Sequence, residues 1–588
     1  MEKMEEEESV NLQHNPNQRK RGGLITIPFI LGNESFERLS SYGLLPNMIF
    51  YLMRDYRVGV TKGASIIFIW NAASNFMPIL GAFFSDSFLG RYFTIALGSI
   101  FSFLGTVLLW LTAMIPQAKP PPCNVATGSC ETPTSGQMAL LLSSMALVSI
   151  GAGGVRPCSL AFGADQLDNR ANPKNERLLE SFFGWYYAST SVSVVIALTA
   201  VVYIQDHHGW KIGFGVPAIL MFLAVVMFII ASPLFIKKKA SKSLLTGLVQ
   251  VLVVAFKNRK VPFPADGKYH VAKNSESISP TENLRFLNKA CIITNSEQDL
   301  AADGSTLKPW NLCTVEQVEE LKALIRVMPI WSSGIMMSIS TSQGTFQLLQ
   351  ASSMDRHLTS KFQIPAGTFP VFLVLAMALW IILYDRAILP LASKIKGKQV
   401  RISVKLRMGL GLIISCIAMM TGGIVENVRR RKAIEEGYLN NGYAVVKMSA
   451  FWLAPQFCLS GIAEALNAIG QTEFYYTELP KSMSSIAGAL FGLGMAVASL
   501  LASVILNAVD DITSKGGKDG WVPDNINKGH YDNYYWLFAI MGCINLLYFV
   551  LCCWAYGPCK EQITKVSDGG NGYKEEEELS IRRILNQD

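Results

Sequence analysis

Charge is scarce in this sequence: half of its 588 residues are hydrophobic and only 16% are Asp, Glu, Lys or Arg. Its apolar runs repeatedly reach the about 20 residues that cross a bilayer, which leaves little material for a water-soluble body. Alternating segments of about ten residues are missing, which excludes a transmembrane β-barrel. Neither a P-loop nor a dinucleotide fingerprint occurs, which argues against direct use of ATP. The eleven cysteines show no metal-ligand spacing. His14, His207, His208, His270, His357 and His530 all fall in tails, loops or span edges, so an intramembrane proton carrier has to be a carboxylate. No enzyme chemistry, cofactor, metal or nucleic-acid partner is expected; the partners expected are the lipid bilayer, protons and a small anionic substrate.

What is present reads as an all-α polytopic membrane protein. Spans are expected near Leu24–Met53, Ser65–Phe84, Tyr92–Ile115, Met138–Gly163, Ser181–Ile204 and Ile212–Ile236, then near Leu321–Thr341, Thr368–Leu391, Val404–Val425, Ser449–Tyr476, Ala487–Asn507 and Tyr534–Tyr556. The expected organisation is a tail (1–23), a six-helix bundle (24–236), a polar linker (237–320), a second six-helix bundle (321–557) and a tail (558–588). No cleavable signal peptide is read, because the first apolar stretch carries charge and lacks a cleavage site. Lys237, Lys238 and Lys239 in the linker, Arg170, Lys174 and Arg177 after the fourth span, and Lys394, Lys396, Lys398 and Arg401 after the eighth mark the cytoplasmic side. Both termini then share that side. One cluster disagrees: Arg429-Arg430-Arg431-Lys432 follows the ninth span and falls outside.

The first span contains Glu34, Glu37 and Arg38, spaced to share one helix face. Ionisable groups at membrane depth are costly and mark ion or proton handling; the alternative is a structural ion network that fixes packing. Cys123 and Cys130 lie together in the expected outside loop after the third span and are candidates for a disulfide. Gln343, Gln347 and Gln350, at helical spacing beyond the seventh span, are read as facing solvent in preference to lining a cavity. The sequon Asn33-Glu34-Ser35 is expected to be buried and unusable.

Asn33-Glu34-Ser35-Phe36-Glu37-Arg38 resembles the ExxER signature of the proton-coupled oligopeptide transporter superfamily, in its plant nitrate/peptide transporter branch. Phe84-Ser85-Asp86-Ser87-Phe88-Leu89-Gly90-Arg91-Tyr92 resembles the major-facilitator loop after span two. Gly153-Gly154-Val155-Arg156-Pro157 with Phe162-Gly163-Ala164-Asp165-Gln166 resembles the family's span four, and Phe474-Tyr475-Tyr476-Thr477-Glu478-Leu479-Pro480 the end of its span ten. The resemblance covers nearly the whole chain. It implies a major-facilitator fold, two six-helix bundles around a central cavity, working by alternating access.

The resemblance implies that Glu34, Glu37 and Arg38 couple protons, and that Arg156, where relatives more often have Lys, faces the cavity and communicates with a span-ten acid, Glu464. An Arg stays protonated and presents a planar fork suited to a carboxylate or an oxyanion. Glu473 and Glu478 are read as gate or structural groups. Peptide-transporting relatives have two tyrosines after ExxER, whereas this chain keeps only Tyr42, which argues against peptides. Some nitrate-transporting relatives carry a histidine in span seven, where this chain has Thr341, with Thr345 one turn on. Thr94 matches a threonine phosphorylated in some relatives, or is an ordinary helix N-terminal hydroxyl. The expectation is a proton-coupled symporter in a plant plasma membrane carrying nitrate with low affinity; the alternatives are an importer of hormone acids (gibberellin, abscisate, jasmonate conjugates) or other organic anions, an anion channel, and a nutrient receptor with little transport.

Overall fold

The computed structural model describes residues 22–121, 131–167, 175–238, 244–263, 269–271, 279–293, 300, 306, 308–397, 402–517 and 519–558. Twelve long helices form the body. In the first half they are α1 (Ile27–Leu44), α2 (Val60–Phe84), α3 (Arg91–Met114), α4 (Ser135–Leu167), α5 (Asn175–Ile196) and α6. The last two are joined without a loop: helical hydrogen bonding runs on through Val202–Ile230, but Gly209 has φ 76 and reverses the chain there. Only glycine adopts that conformation without strain, and α6 is the part after it. The second half comprises α7 (Val315–Ser342), α8 (Val371–Leu383), α9 (Val404–Glu435), α10 (Ala454–Glu478), α11 (Ser484–Thr513) and α12 (Tyr531–Tyr556).

Among the described residues, nine helical segments are long and apolar enough to cross a membrane, and the 56-residue segment Asn175–Ile230 supplies α5 and α6. The two helices that fall short are α1 and α10. Each is depressed by its own acids, Glu34 and Glu37 in α1, Glu464, Glu473 and Glu478 in α10. The weakest membrane signals thus belong to the helices with the candidate chemistry.

Within each half the helices pack on one another: α4 against α2 and α3, α1 against α5 and α6, α9 against α10 and α12, α7 against α11 and α12. Packing of α4 depends on close backbone approach, for a Cβ at Gly154 would lie 2.7 Å from the Thr94 carbonyl oxygen and 2.8 Å from Gly98 Cα. The main helix contact between halves is α2 against α11. All hydrogen bonds between described residues that cross from one half to the other lie at one end, where α2 begins: Val60 N–H to Asp524 Oδ1 (2.7 Å), Thr61 Oγ1 to the Val522 carbonyl (3.3 Å) and Asn507 Nδ2 to Ser65 Oγ (3.0 Å). Short strands decorate the same end, with β1 (Met354–Asp355) parallel to β4 (Val446–Ser449) and β2 (His357–Thr359) antiparallel to β3 (Phe362–Gln363).

Four expectations are corrected. The stretch after α2 is no loop: Ser85–Leu89 continues the helix as a π turn, and Gly90, φ 76, breaks it. Helix α9 runs on to Glu435, so Arg429 is inside it and fully buried. Gln343, Gln347 and Gln350 are buried and do not face solvent, because the chain after Ser342 forms a second short helix, Gly344–Ser352, turned inward. Gln343 Oε1 accepts from the Tyr534 hydroxyl (3.1 Å), and Gln350 accepts from Tyr535 (2.6 Å) while donating to Glu426 (2.7 Å). Helix α7 also begins earlier than expected, at Val315, under a capping box of Thr314 and Gln317.

Candidate functional site

Helix geometry brings Glu34, Glu37, Arg38 and Ser41 to one face of α1, at three- and four-residue spacing. Both carboxylates are fully buried, while the Arg38 and Arg156 side chains keep 21% and 16% exposure. Arg38 Nε donates to Glu34 Oε1 (2.9 Å) and stands 4.0 Å from Glu37 Oε2. From α4, Arg156 grips Glu37 side-on, Nη2 to Oε1 at 3.0 Å and Nε at 3.2 Å from each oxygen. Ser41 Oγ adds a third donor, to Glu37 Oε1 at 2.6 Å. Glu37 is therefore a heavily satisfied anion, whereas Glu34 Oε2 is buried without a hydrogen-bond partner.

Aromatic rings line the cluster. Tyr42 lies beneath both cations, its ring 5.9 Å from Arg38 Cζ and 5.6 Å from Arg156 Cζ. Tyr186 of α5 is buried within electrostatic reach of Glu34, Arg38 and Glu37. Ser41 and Tyr186 are absent from the sequence-based site. The spacing Glu37 to Ser41 carries a signal for the first, whereas nothing local marks Tyr186, which reaches the cluster through helix packing.

Arg156 and Glu464 are not joined in this conformation. Arg156 is committed to Glu37, and Glu464 stands half-buried on α10 with no ion pair to any described residue. Thr341 directs its hydroxyl to the Met337 carbonyl of its own helix (3.2 Å), and the break at Gln343 puts Thr345 on the next helix. Thr94 is buried in the first turn of α3, bonded to the Gly90 carbonyl (3.0 Å). Glu473 pairs with Arg407, and Glu478 accepts from the Tyr556 hydroxyl (2.7 Å), ties that hold the second half together. Asn33 is 1% exposed, inside α1. The candidate disulfide Cys123–Cys130 lies outside the described residues.

The motif at the base of α3 has a visible purpose too. Arg91 pairs with Asp165 of α4, which also takes Lys238 at 2.9 Å, so this charged node ties α3, α4 and the chain after α6. Gln166 beside it exchanges two hydrogen bonds with Ile236 and anchors the Gly23 N–H through its carbonyl.

Comparison with known proteins agrees with this architecture. The profile of the family described as "PTR2: POT family" matches residues 92–522. Two Arabidopsis thaliana relatives align almost end to end: Protein NRT1/ PTR FAMILY 1.2, 62% identical over 98% of this chain and 96% of its own, and Protein NRT1/ PTR FAMILY 1.1, 59% identical over 96% of each. Among solved structures, an auto inhibited POT family peptide transporter superposes with TM-score 0.66 at 20% identity, covering 90% of this chain and 96% of that one. The POT family transporter PepTSo gives 0.65 at 18% identity, covering 90% and 98%. The expected major-facilitator architecture is thus the fold of those transporters.

Proposed function

The chain belongs to the POT family of proton-coupled transporters, in its plant NRT1/PTR branch, and from that premise we propose that it is a symporter moving nitrate with protons across the plasma membrane by alternating access. It is an integral membrane transporter and not an enzyme. The observation that carries the reading is the double hold on Glu37 by Arg156 and Arg38.

Glu34 and Glu37 balance Arg38 and Arg156, so an arriving anion meets no uncompensated cation. A proton changes that. It is received at the bare Glu34 Oε2, which weakens the Glu34–Arg38 bond. Arg38 then closes the 4.0 Å gap to Glu37. With Glu37 held from its own helix, Arg156 is free to turn its fork to the anion. Release of proton and anion on the other side restores the starting pairs. Arg156 can instead meet Glu464 when the halves approach on that side, which links the two bundles. Net inward movement of one positive charge gains about 2.3 kcal/mol per 100 mV, so more than one proton per nitrate makes the potential a driving force.

The basic residues Lys237, Lys238, Lys394 and Lys396 support a cytoplasmic position for the end opposite the hydrogen-bonded seam. The seam end then faces outward, and this conformation is closed to the outside.

A second reading keeps the mechanism and changes the cargo. Thr341 spends its hydroxyl on its own helix, leaving guanidinium groups as the anion-recognising element, and these suit an organic carboxylate equally well. Uptake of labelled nitrate, with labelled gibberellin in parallel, in oocytes at acidic and neutral external pH separates the two. Acid-stimulated nitrate uptake that disappears in Glu37→Gln is the expected result. Gibberellin uptake without nitrate uptake overturns the cargo, and acid stimulation surviving in Glu37→Gln overturns the coupling.

A further inference from the structure

The charged stretch at the end of α9, anomalous as a topology signal, has a mechanical explanation. Arg429 and Glu426 are both completely buried, bonded twice at 2.8 and 2.7 Å. Arg429 then reaches out of its helix to the segment before α12, donating to Asn527 Oδ1 (2.7 Å) and to the Ile526 carbonyl (3.3 Å). Asn527 is itself 0% exposed and donates to the Tyr438 and Asn441 carbonyls, 3.0 Å each. Gln350, on the short helix after α7, completes the mount by donating to Glu426, and is itself held by the Tyr535 hydroxyl of α12. The segment around 522–527 is thus bolted to the second half by buried polar bonds.

Its other side faces the first half. Asp524 lies three residues before Asn527 and accepts the Val60 N–H at 2.7 Å. Val60 is the first residue of α2, and Gly59 before it offers no side-chain cap. The donors of a helix N-terminus need acceptors, and the positive end of the helix dipole favours a carboxylate there. Helix α2 is therefore capped by a residue of the opposite bundle. The absence of a side chain at Gly59 permits it, since a Cβ there would come within 3.0 Å of Asp524 Oδ1. Thr61 bonding to the Val522 carbonyl closes the same seam.

We infer that Asp524 is a clasp that holds the two bundles together at this end by capping α2 in trans, with Arg429 as the positioning residue that keeps the clasp in reach. The inference rests on the alternating-access reading: when this end opens, α2 loses its cap and Asp524 is released to water. Opening and uncapping are then one event.

Hydrogen exchange of the purified protein in nanodiscs, without substrate, tests this. In Asp524→Ala the peptide over 58–66 should exchange roughly five- to tenfold faster, the size of a lost cap, while the α10–α11 turn around Leu479–Ser484 at the opposite end becomes more protected. Asp524→Asn keeps an oxygen acceptor and should stay near the parent. Arg429→Ala risks misfolding, so Asn527→Ala serves as the second variant and should reproduce Asp524→Ala at both ends. Unchanged exchange at 58–66 in Asp524→Ala overturns the clasp. Faster exchange there with no change at the opposite end also overturns it, for the bond would then be a local cap alone. A protein that carries neither nitrate nor gibberellin would sink both cargo readings and leave this measurement standing.

Discussion

Removing one member of a buried ion pair leaves the other charged in a dry site, and Arg429 shows how much that matters here. Arg429→Ala should lower stability by about 3–5 kcal/mol, seen as a drop in the unfolding temperature of the purified protein. The double change Arg429→Leu with Glu426→Leu should cost far less, because no lone charge remains; equal losses would show that the outward bonds to Asn527 dominate. Residue by residue, the sequence discloses groups that act within one helix. Glu34, Glu37 and Arg38 announce themselves by spacing, and Glu426 with Arg429 could be read the same way. Gln343 and Gln350 could not, since their partners Tyr534, Tyr535 and Glu426 are distant in sequence. Asp524 is hidden for the same reason, a lone acid in a polar loop whose partner is a backbone N–H some 464 positions away.

At the level of elements, hydropathy finds the spans other than α1 and α10 and misplaces several ends. Helix α9 outruns its apolar stretch because Glu426 and Arg429 neutralise each other inside it, and a hydropathy reading stops where the helix does not. The linker gives a further case. Leu248, Val251 and Val254 of the helix Leu244–Lys257 pack on a cluster with Leu287, Cys291, Val315 and Val318, so part of this polar-looking region owns a core. His270 sits in that unit, its backbone bonded to the Cys291 carbonyl and the Val315 N–H. Burial pushes its imidazole below the ordinary 6.5, with Glu316 opposing. The unfolded linker then binds a proton that the folded one refuses, so the unit is at full strength above about pH 6.5 and weakens as pH falls below it. Limited proteolysis of 269–293 should be faster at pH 5.5 than at pH 7.5, and His270→Gln should flatten the difference; a variant that retains it would place the sensitivity elsewhere.

For the whole molecule, the twelve-helix plan and the first-span cluster were readable in advance, while the conformation was not. Hydropathy gives six spans, a linker and six, and the family resemblance makes two bundles of them; only the set of contacts tells which end they share. The pairing of Arg156 with Glu37 and not with Glu464 belongs to that category, for no spacing in the sequence announces it.

The polarity of α1 also bears on how the protein is made. A charged residue at the centre of a membrane helix costs about 2.5–3.5 kcal/mol on insertion scales, and α1 carries three such residues, of which Glu34 and Arg38 pair within the helix while Glu37 has to wait for a partner from α4. Its fourth charge, Arg156, is synthesised more than a hundred residues later. The translocon must therefore hold or re-admit α1 until α4 emerges. Chains truncated after α3 should show α1 poorly integrated in a glycosylation-mapping assay, and chains extended through α4 should recover it, whereas full integration of the shorter chain would mean that Arg38 alone is enough. On this account the first helix to leave the ribosome is among the last to settle, and the Arg156–Glu37 pair is first a step in biogenesis.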